Sequence, residues 1–424
     1  MLEALEQDLS ALMCVPGLAG HEDRVRRHIV RELARDGITG QTDRLGNLSI
    51  TFEGAPDAPS VMIFAHMDQL GFVVRRIEAD GLLRVERLGG VAERAMAAQA
   101  VLISVGDGTD AAGVILNKAH HATTPEEKYT VVKAPEIVID TGHGSRAAVE
   151  AAGIRIGSPV TYLPQVLPLA GSRLAGTAID DRAGCAVLMA LARQLAARSP
   201  GSGATVHIVF TVQEEFNLRG AQVAAQRLKP DVAIQIDLML ASDTPDMAER
   251  GEMVLGGGPG MSLYSFHGRG TLNGVIPHPA AVRLVEETAD ALGLPLQRSA
   301  QVGVLTDLSY VQLVGEGVIA IDLGFPMRAS HSALEVCDLA DLEALTRLIG
   351  GVVERLPGAD LSRDGEEGAA TAAPAESVGP KDAPADPATA EVNAGPDHAP
   401  PLPLTESEII EPTEIAPDDD EAAP

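Results

Sequence analysis

The chain has 424 residues, 45% of them hydrophobic, and a formal net charge of −28. That length can bury a large core and suits more than one domain, and no apolar run reaches the roughly 18–20 residues of a membrane span. Residues 358–424 hold 17 acids and two bases, a net of −15, which leaves −13 and no basic stripe on the other 357 residues and argues against nucleic-acid binding.

In chain order, MLEALEQDLSALM opens with Leu2, Leu5, Leu9 and Leu12 at helical spacing and carries early acids, so it reads as an amphipathic helix rather than a signal peptide. A second helical pattern covers 22–35. SVMIFAH (60–66) is then a near-continuous apolar run, and so are ATVHIVFTV (204–212), DVAIQID (231–237) and GVIAIDL (317–323). Runs of this kind suit strands covered on both faces of a mostly parallel sheet. Helical patterns at 181–198, 217–228, 279–292 and 338–356 alternate with them, so the fold class is α/β with a mostly parallel central sheet flanked by helices.

Residues 71–167 break this rhythm. FVVRRIEADGLLRVERLGG and AVLISVGDGTDAAGVIL are short strand-like pieces punctuated by glycine turns. They read as a small β-domain inserted between the two parts of the α/β domain, 1–70 and 168–357. Residues 119–136 would be a loop within it, and DTGHGSRAAVEAAG a short helix on the way back. From Gly358 the chain becomes rich in Ala, Pro, Glu and Asp, with 11 of the 28 prolines and no aromatic residue, the composition of a disordered acidic tail. TESEIIEP near its end is a secondary candidate for a docking motif. Cys14, Cys185 and Cys337 show no CxxC and no shared context. They are expected to be buried structural thiols in a reducing, cytoplasmic setting.

Five separated pieces place acids or imidazoles at the ends of the predicted strands or just beyond: His66 and Asp68 in FAHMDQLG, Asp180 in AIDDRAG, Glu214 and Glu215 in FTVQEEFNLRG, Asp237 in AIQIDLML, and His331 in RASHSALEV. Open α/β sheets bind ligands outside the carboxyl ends of their strands, so all five converge on one rim. Two divalent cations about 3.5–4 Å apart need a bridging carboxylate, further carboxylates for charge balance, and neutral imidazoles. A His/Asp/Glu set without thiolate suits zinc, cobalt or manganese. Asp68 is placed to accept the second ring N–H of His66, which would orient that ligand. Of Glu214 and Glu215, one can ligate while the other acts as general base. Taken singly, such residues are usually caps or solvated charges; their joint placement carries the signal. His120 and His121 are a secondary candidate pair for substrate contacts, and LGGGPG lacks the Lys-Ser/Thr of a phosphate loop and reads as a turn.

At these residues the chain resembles the glutamyl aminopeptidase and tetrahedral (TET) aminopeptidase family of dinuclear metallopeptidases, some of whose members are labelled endoglucanase-like. The likeness runs over about residues 1–356 through VPGLAGHEDRVRRHI, DRLGNL, HMDQLG, DDRAG, QEEFNLRG, IDLMLASDTPD, LTDLSY and RASHSALEV. It implies a zinc-peptidase-like fold whose insert is a β-barrel domain used in assembly. It implies that His66 and Asp237 complete one metal site, Glu215 and His331 the other, with Asp180 bridging, Glu214 the general base and Asp68 behind His66. It further implies a cis Asp180–Asp181 peptide and homo-oligomers built from dimers, commonly dodecamers. The chain departs from the family pattern at Gln69, Asp181 and Ala329-Ser330, where Glu, Asn and Arg-Tyr are usual.

The expectation is a metallo-aminopeptidase that removes N-terminal residues from peptides with two divalent cations per subunit. A metal-dependent deacylase of the same fold and a non-catalytic assembly protein are the alternatives. A glycosidase fits poorly, because it needs two free flanking carboxylates.

Overall fold

The computed structural model describes residues 1–106, 108–268 and 272–365. Most of the segment with the composition of an acidic tail, including TESEIIEP, therefore lies outside the described residues.

The helices are α1 (Leu2–Met13), α2 (Asp23–Arg35), α3 (Arg146–Ala151), α4 (Ile179–Ala196), α5 (Gly220–Leu228), α6 (Pro279–Leu292), α7 (Leu308–Val311) and α8 (Leu339–Arg355). The first strands are β1 (Gln41–Thr42), β2 (Leu48–Phe52), β3 (Ser60–His66), β4 (Gly71–Ile77), β5 (Leu83–Leu88), β6 (Ala100–Gly106), β7 (Thr109–Ile115), β8 (Val138–Asp140) and β9 (Pro159–Tyr162). After them come β10 (Val166–Pro168), β11 (Arg173–Gly176), β12 (Thr205–Thr211), β13 (Val232–Leu240), β14 (Gly260–Phe266), β15 (Gly274–Val275), β16 (Gln297–Val302), β17 (Ile319–Met327) and β18 (Glu335–Asp338).

The central sheet runs β1-β2-β12-β3-β13-β17-β14-β15, with β16 on β14. Its middle strands β12, β3, β13 and β17 are parallel neighbours. These are the four apolar runs of the sequence, and burial explains their composition: β3, β12, β13 and β17 are covered almost end to end. Alternation sorts them. Val61, Ile63 and Ala65 of β3 join Ile234 and Ile236 of β13 in the core shared with α1, α2, α4, α6 and α8. Met62, Phe64 and Ala233 pack with Ala221, Ala224, Leu308 and Val311 on the opposite face, under α5 and α7.

The glycine-punctuated segment closes on itself as a barrel, in the order β4-β5-β8-β7-β6-β9. It has its own core, in which Phe72 meets Tyr162 edge to face at 6.0 Å. The stretch 119–136, read as a loop, is a chain of three short 3-10 turns. Cys185 and Cys337 are buried as expected, but Cys14 is exposed, because it caps the C-terminal end of α1. Among the described residues no helix is long and apolar enough to cross a membrane.

Candidate metal centre

Two groups of three side chains that could hold a metal ion share one residue. His66, Asp180 and Asp237 form one, and Asp180, Glu215 and His331 the other; within each group the ligating atoms lie within 4.8 Å of one another. Each member arrives from a different element. His66 ends β3 and Glu215 lies just past β12, while His331 lies between β17 and β18. Asp180 sits in the first turn of α4, where it and Asp181 keep non-helical backbone around a cis peptide. Asp237 departs from the sequence reading: β13 does not end there but continues to Leu240, pairing with β17 over all nine residues. Asp237 therefore lies before the end of β13, two residues past the last β3–β13 pair of Phe64 with Gln235, and so level with His66 at the end of β3.

The carboxylate of Asp180 spans both groups. Its Oδ1 lies 3.1 Å from His66 Nε2 and its Oδ2 3.2 Å from His331 Nε2. Glu215 Oε1 is 3.6 Å from the same His331 nitrogen. The other nitrogen of each ring is committed. His66 Nδ1 donates to the backbone oxygen of Asp68 at 3.0 Å, and His331 Nδ1 to that of Gly90 at 2.9 Å. A carbonyl can only accept, so both rings turn Nε2 toward the carboxylates.

Asp68 differs from expectation. Its carboxylate is 3.6 Å from His66 Nδ1, too far for a hydrogen bond. It accepts instead the backbone N–H of Glu214 at 3.0 Å and of Glu215 at 2.9 Å. Asp68 thus steers His66 through its carbonyl and the Glu-Glu pair through its side chain.

Three features escaped the sequence reading. Glu335, 2% exposed, accepts the backbone N–H of Asp180 at 3.0 Å and of His331 at 2.8 Å. Gln235, two residues before Asp237 and on the same strand face, donates to Asp237 Oδ2 at 3.1 Å. Gly90 admits the His331 ring: a Cβ there would stand 2.8 Å from Nδ1. The Gly89-Gly90 pair was a visible signal, read only as a turn. His120 and His121 meet edge to face in an exposed turn, outside both groups.

Burial and mutual repulsion set the electrostatics. Burial, with Asp180 nearby, pushes the Asp237 carboxyl well above its ordinary range. Burial raises Glu214 well above its range too; His66 opposes this, while Asp237 and Glu215 add to it. Burial alone would lower both imidazoles, but the surrounding carboxylates outweigh it and raise His66 and His331 well above their ordinary value. Burial disfavours a charged Asp180, yet its hydrogen bonds with His331 and His66 hold its carboxyl below the usual range. Asp181 is fully buried with Oδ2 unpartnered. Arg182, also fully buried, reaches Gln69 Oε1 at 3.4 Å. Gln69, one of the positions where the chain departs from the family pattern, thus meets a buried guanidinium.

The donor set fits divalent cations. It consists of carboxylates and Nε2 atoms with no thiolate, and the two groups share one carboxylate.

The sequence profile of the M42 glutamyl aminopeptidase family matches residues 46–348. The chain is 37% identical over 348 residues to SgcX of Escherichia coli, which carries a provisional aminopeptidase name; the match covers 82% of this chain and 92% of the relative. Among solved structures it is similar to an aminopeptidase of Desulfurococcus kamchatkensis, with a TM-score of 0.77, 32% identity and coverage of 84% of this chain and 95% of that one. It is also similar to the TET1 peptidase of Pyrococcus horikoshii, described as assembling into a tetrahedron or a large octahedral shell, with a TM-score of 0.74, 26% identity and coverage of 83% and 100%. The chain belongs to the M42 glutamyl aminopeptidase family, and is a hydrolase acting on peptides.

Proposed function

We propose that this aminopeptidase is a dinuclear metal enzyme that removes N-terminal residues from peptides. His66 and Asp237 would hold one divalent cation, Glu215 and His331 the other, and Asp180 would bridge them. The observation that carries this reading is Asp180 itself, whose two oxygens face two different imidazoles at 3.1 and 3.2 Å. Zinc suits the donor set best, and cobalt or manganese would also serve. When bound, such a pair supplies Lewis acidity at the scissile carbonyl and lowers the pKa of water toward neutrality.

The rest of the chemistry falls to the protein. Glu214 is buried beside the proposed ligands, where burial disfavours its charged form. It takes a proton from the attacking water and returns it to the leaving amine. Asp68 fixes the backbone of Glu214, and so the aim of this base. The acidic surroundings favour a substrate with a free, positively charged α-amine.

The test has two arms. Elemental analysis should find about two metals per chain, and Glu214→Gln should keep them while losing roughly 10²–10⁴-fold in turnover of aminoacyl-p-nitroanilides. Wild-type turnover in that variant removes Glu214 from its role. Activity on N-acylated amino acids but not on free N-termini would favour a deacylase, and a protein without metal would favour a non-catalytic assembly role. We further infer that the barrel serves assembly and substrate access, and that dimers build a larger homo-oligomer, with a dodecamer the expected form; light scattering after size exclusion reads its mass. The free thiols suit a cytoplasmic location.

A further inference from the structure

β12 ends at Thr211, and the chain turns through 212–219 before α5 begins. This turn carries Glu214 and Glu215, and its backbone is unusual. Gln213, Asn217 and Leu218 all take positive φ, at 58°, 72° and 57°. Non-glycine residues hold such conformations only where their surroundings enforce them. Here four successive N–H groups, from Val212 to Glu215, each donate to a side-chain oxygen. Asp68 accepts the last two. Gln213 N–H donates to Glu22 Oε1 at 3.0 Å, and Val212 N–H to Asn47 Oδ1 at 3.1 Å.

Glu22 and Asn47 come from VPGLAGHEDRVRRHI and DRLGNL, two pieces of the chain that contribute to neither metal-binding group. Asn47 is fully buried and its amide is fully used. While Oδ1 accepts from Val212, Nδ2 donates to the Gly220 oxygen at 3.0 Å and to Asp43 Oδ2 at 2.7 Å. One side chain thus bonds both ends of the turn. The ends meet because position 220 has no side chain: a Cβ there would stand 2.2 Å from the Val212 oxygen. Asp43 Oδ1 accepts the N–H groups of Leu45, Gly46 and Asn47, which holds the loop that presents the amide. Glu22, 4% exposed, accepts Gly20 N–H at 2.6 Å with the same Oε1 that accepts Gln213. The geometry therefore asks Glu22 for an acceptor oxygen, which an amide also has, and asks Asn47 for an acceptor and two donors, which only an amide has.

Resting on the reading of Glu214 as general base, we propose that Glu22 and Asn47 are positioning residues for that base. They fix the backbone on its N-terminal side and close the far end of its turn, so that the Glu214 carboxylate is aimed before substrate arrives. A misplacement of about 1 Å in a reacting group can cost about a hundredfold in rate. The N-terminal end of α2 and the loop before β2 thereby enter the reaction without touching substrate.

The experiment measures kcat, KM and metal content with the aminoacyl-p-nitroanilide that the metal-loaded wild type turns over fastest, below the melting temperature of every variant. Glu22→Ala and Asn47→Ala should each lower kcat about 10–100-fold, with KM within about twofold and metal content unchanged. Glu22→Gln keeps the acceptor and should hold kcat within about threefold of wild type. Combined with Glu214→Gln, each alanine change should cost less than about twofold further, because residues that act as a unit are not additive. Four outcomes would each overturn the proposal: losses that multiply in the Glu214→Gln background, a lower melting temperature with kcat unchanged, metal lost in proportion to activity, and Glu22→Gln as slow as Glu22→Ala. Wild-type turnover in Glu214→Gln alone overturns the base assignment itself, and that result is read without any change at 22 or 47. If Asn47→Ala does not fold, the Glu22 variants and their combination with Glu214→Gln decide the matter.

Discussion

The side chain of Glu335 accepts the backbone N–H of His331 at 2.8 Å, and its second oxygen accepts that of Asp180 at 3.0 Å. One buried carboxylate thereby ties Asp180 to His331, although 150 residues separate them in the chain. His331 needs the tie, because it and Ala329 both adopt positive φ, at 64° and 56°. Such backbone is disfavoured for non-glycine residues and persists only where its surroundings hold it.

Glu335→Ala should therefore strike both stability and metal affinity. It strands two buried N–H groups at about 1–3 kcal/mol each, and loss of ligand orientation typically weakens metal binding about 10–100-fold. Glu335→Gln, with one carbonyl acceptor left, should fall between. Thermal unfolding and titration with zinc check this; wild-type affinity in the alanine variant would dismiss the tie.

Asp68 makes a separable prediction. Because its carboxylate holds the backbone of Glu214 and Glu215 rather than the His66 ring, Asp68→Ala should lower kcat by about 10–100-fold. Occupancy of the site built by His66 should change less, since the carbonyl that orients His66 remains. A variant that loses metal and activity in equal proportion would restore the imidazole as its main partner.

Tyr162 packs in the barrel core, 2% exposed, with its hydroxyl unpartnered. Removing a buried polar atom that bonds nothing relieves a desolvation cost, so Tyr162→Phe should stabilise the protein by about 1 kcal/mol. A lower melting temperature would reveal a partner for the hydroxyl.

Asp243 and Arg328 form a two-pronged pair, at 2.7 and 2.6 Å, that fastens the chain after β13 to the end of β17. The guanidinium holds the Asp243 carboxyl below its ordinary value of 3.8. For a carboxyl depressed on folding, the stabilisation is present above the unfolded pKa and lost as pH falls through the folded one. Asp243→Asn should lower stability at pH 7 by less than about 1 kcal/mol, as partly exposed pairs do. Its acid limb below pH 4 should be shallower than that of wild type in chemical denaturation. Parallel limbs would mean that the pair carries no pH-linked stability.

The α/β class, the four central strands, the small β insert and the separate acids and imidazoles are all legible in the chain by itself; closure of the insert into a barrel is not. Each rests on a local rule: continuous apolar runs for covered strands, glycine turns for the insert, and ionisable groups near strand ends for a site. What the tertiary structure decided was which atoms meet. Asp237 sits inside β13 because β17 pairs with all nine residues of it, and no pattern within AIQIDLML announces where pairing stops. Asp68 grips a backbone rather than a ring, Glu335 joins the site from the same RASHSALEV piece that supplies His331, and Gly90 joins it from a turn with no ionisable group. Hydrogen bonds spanning 155 and 241 residues arise only when separate elements are packed together, so they are properties of the packing and not of any one segment.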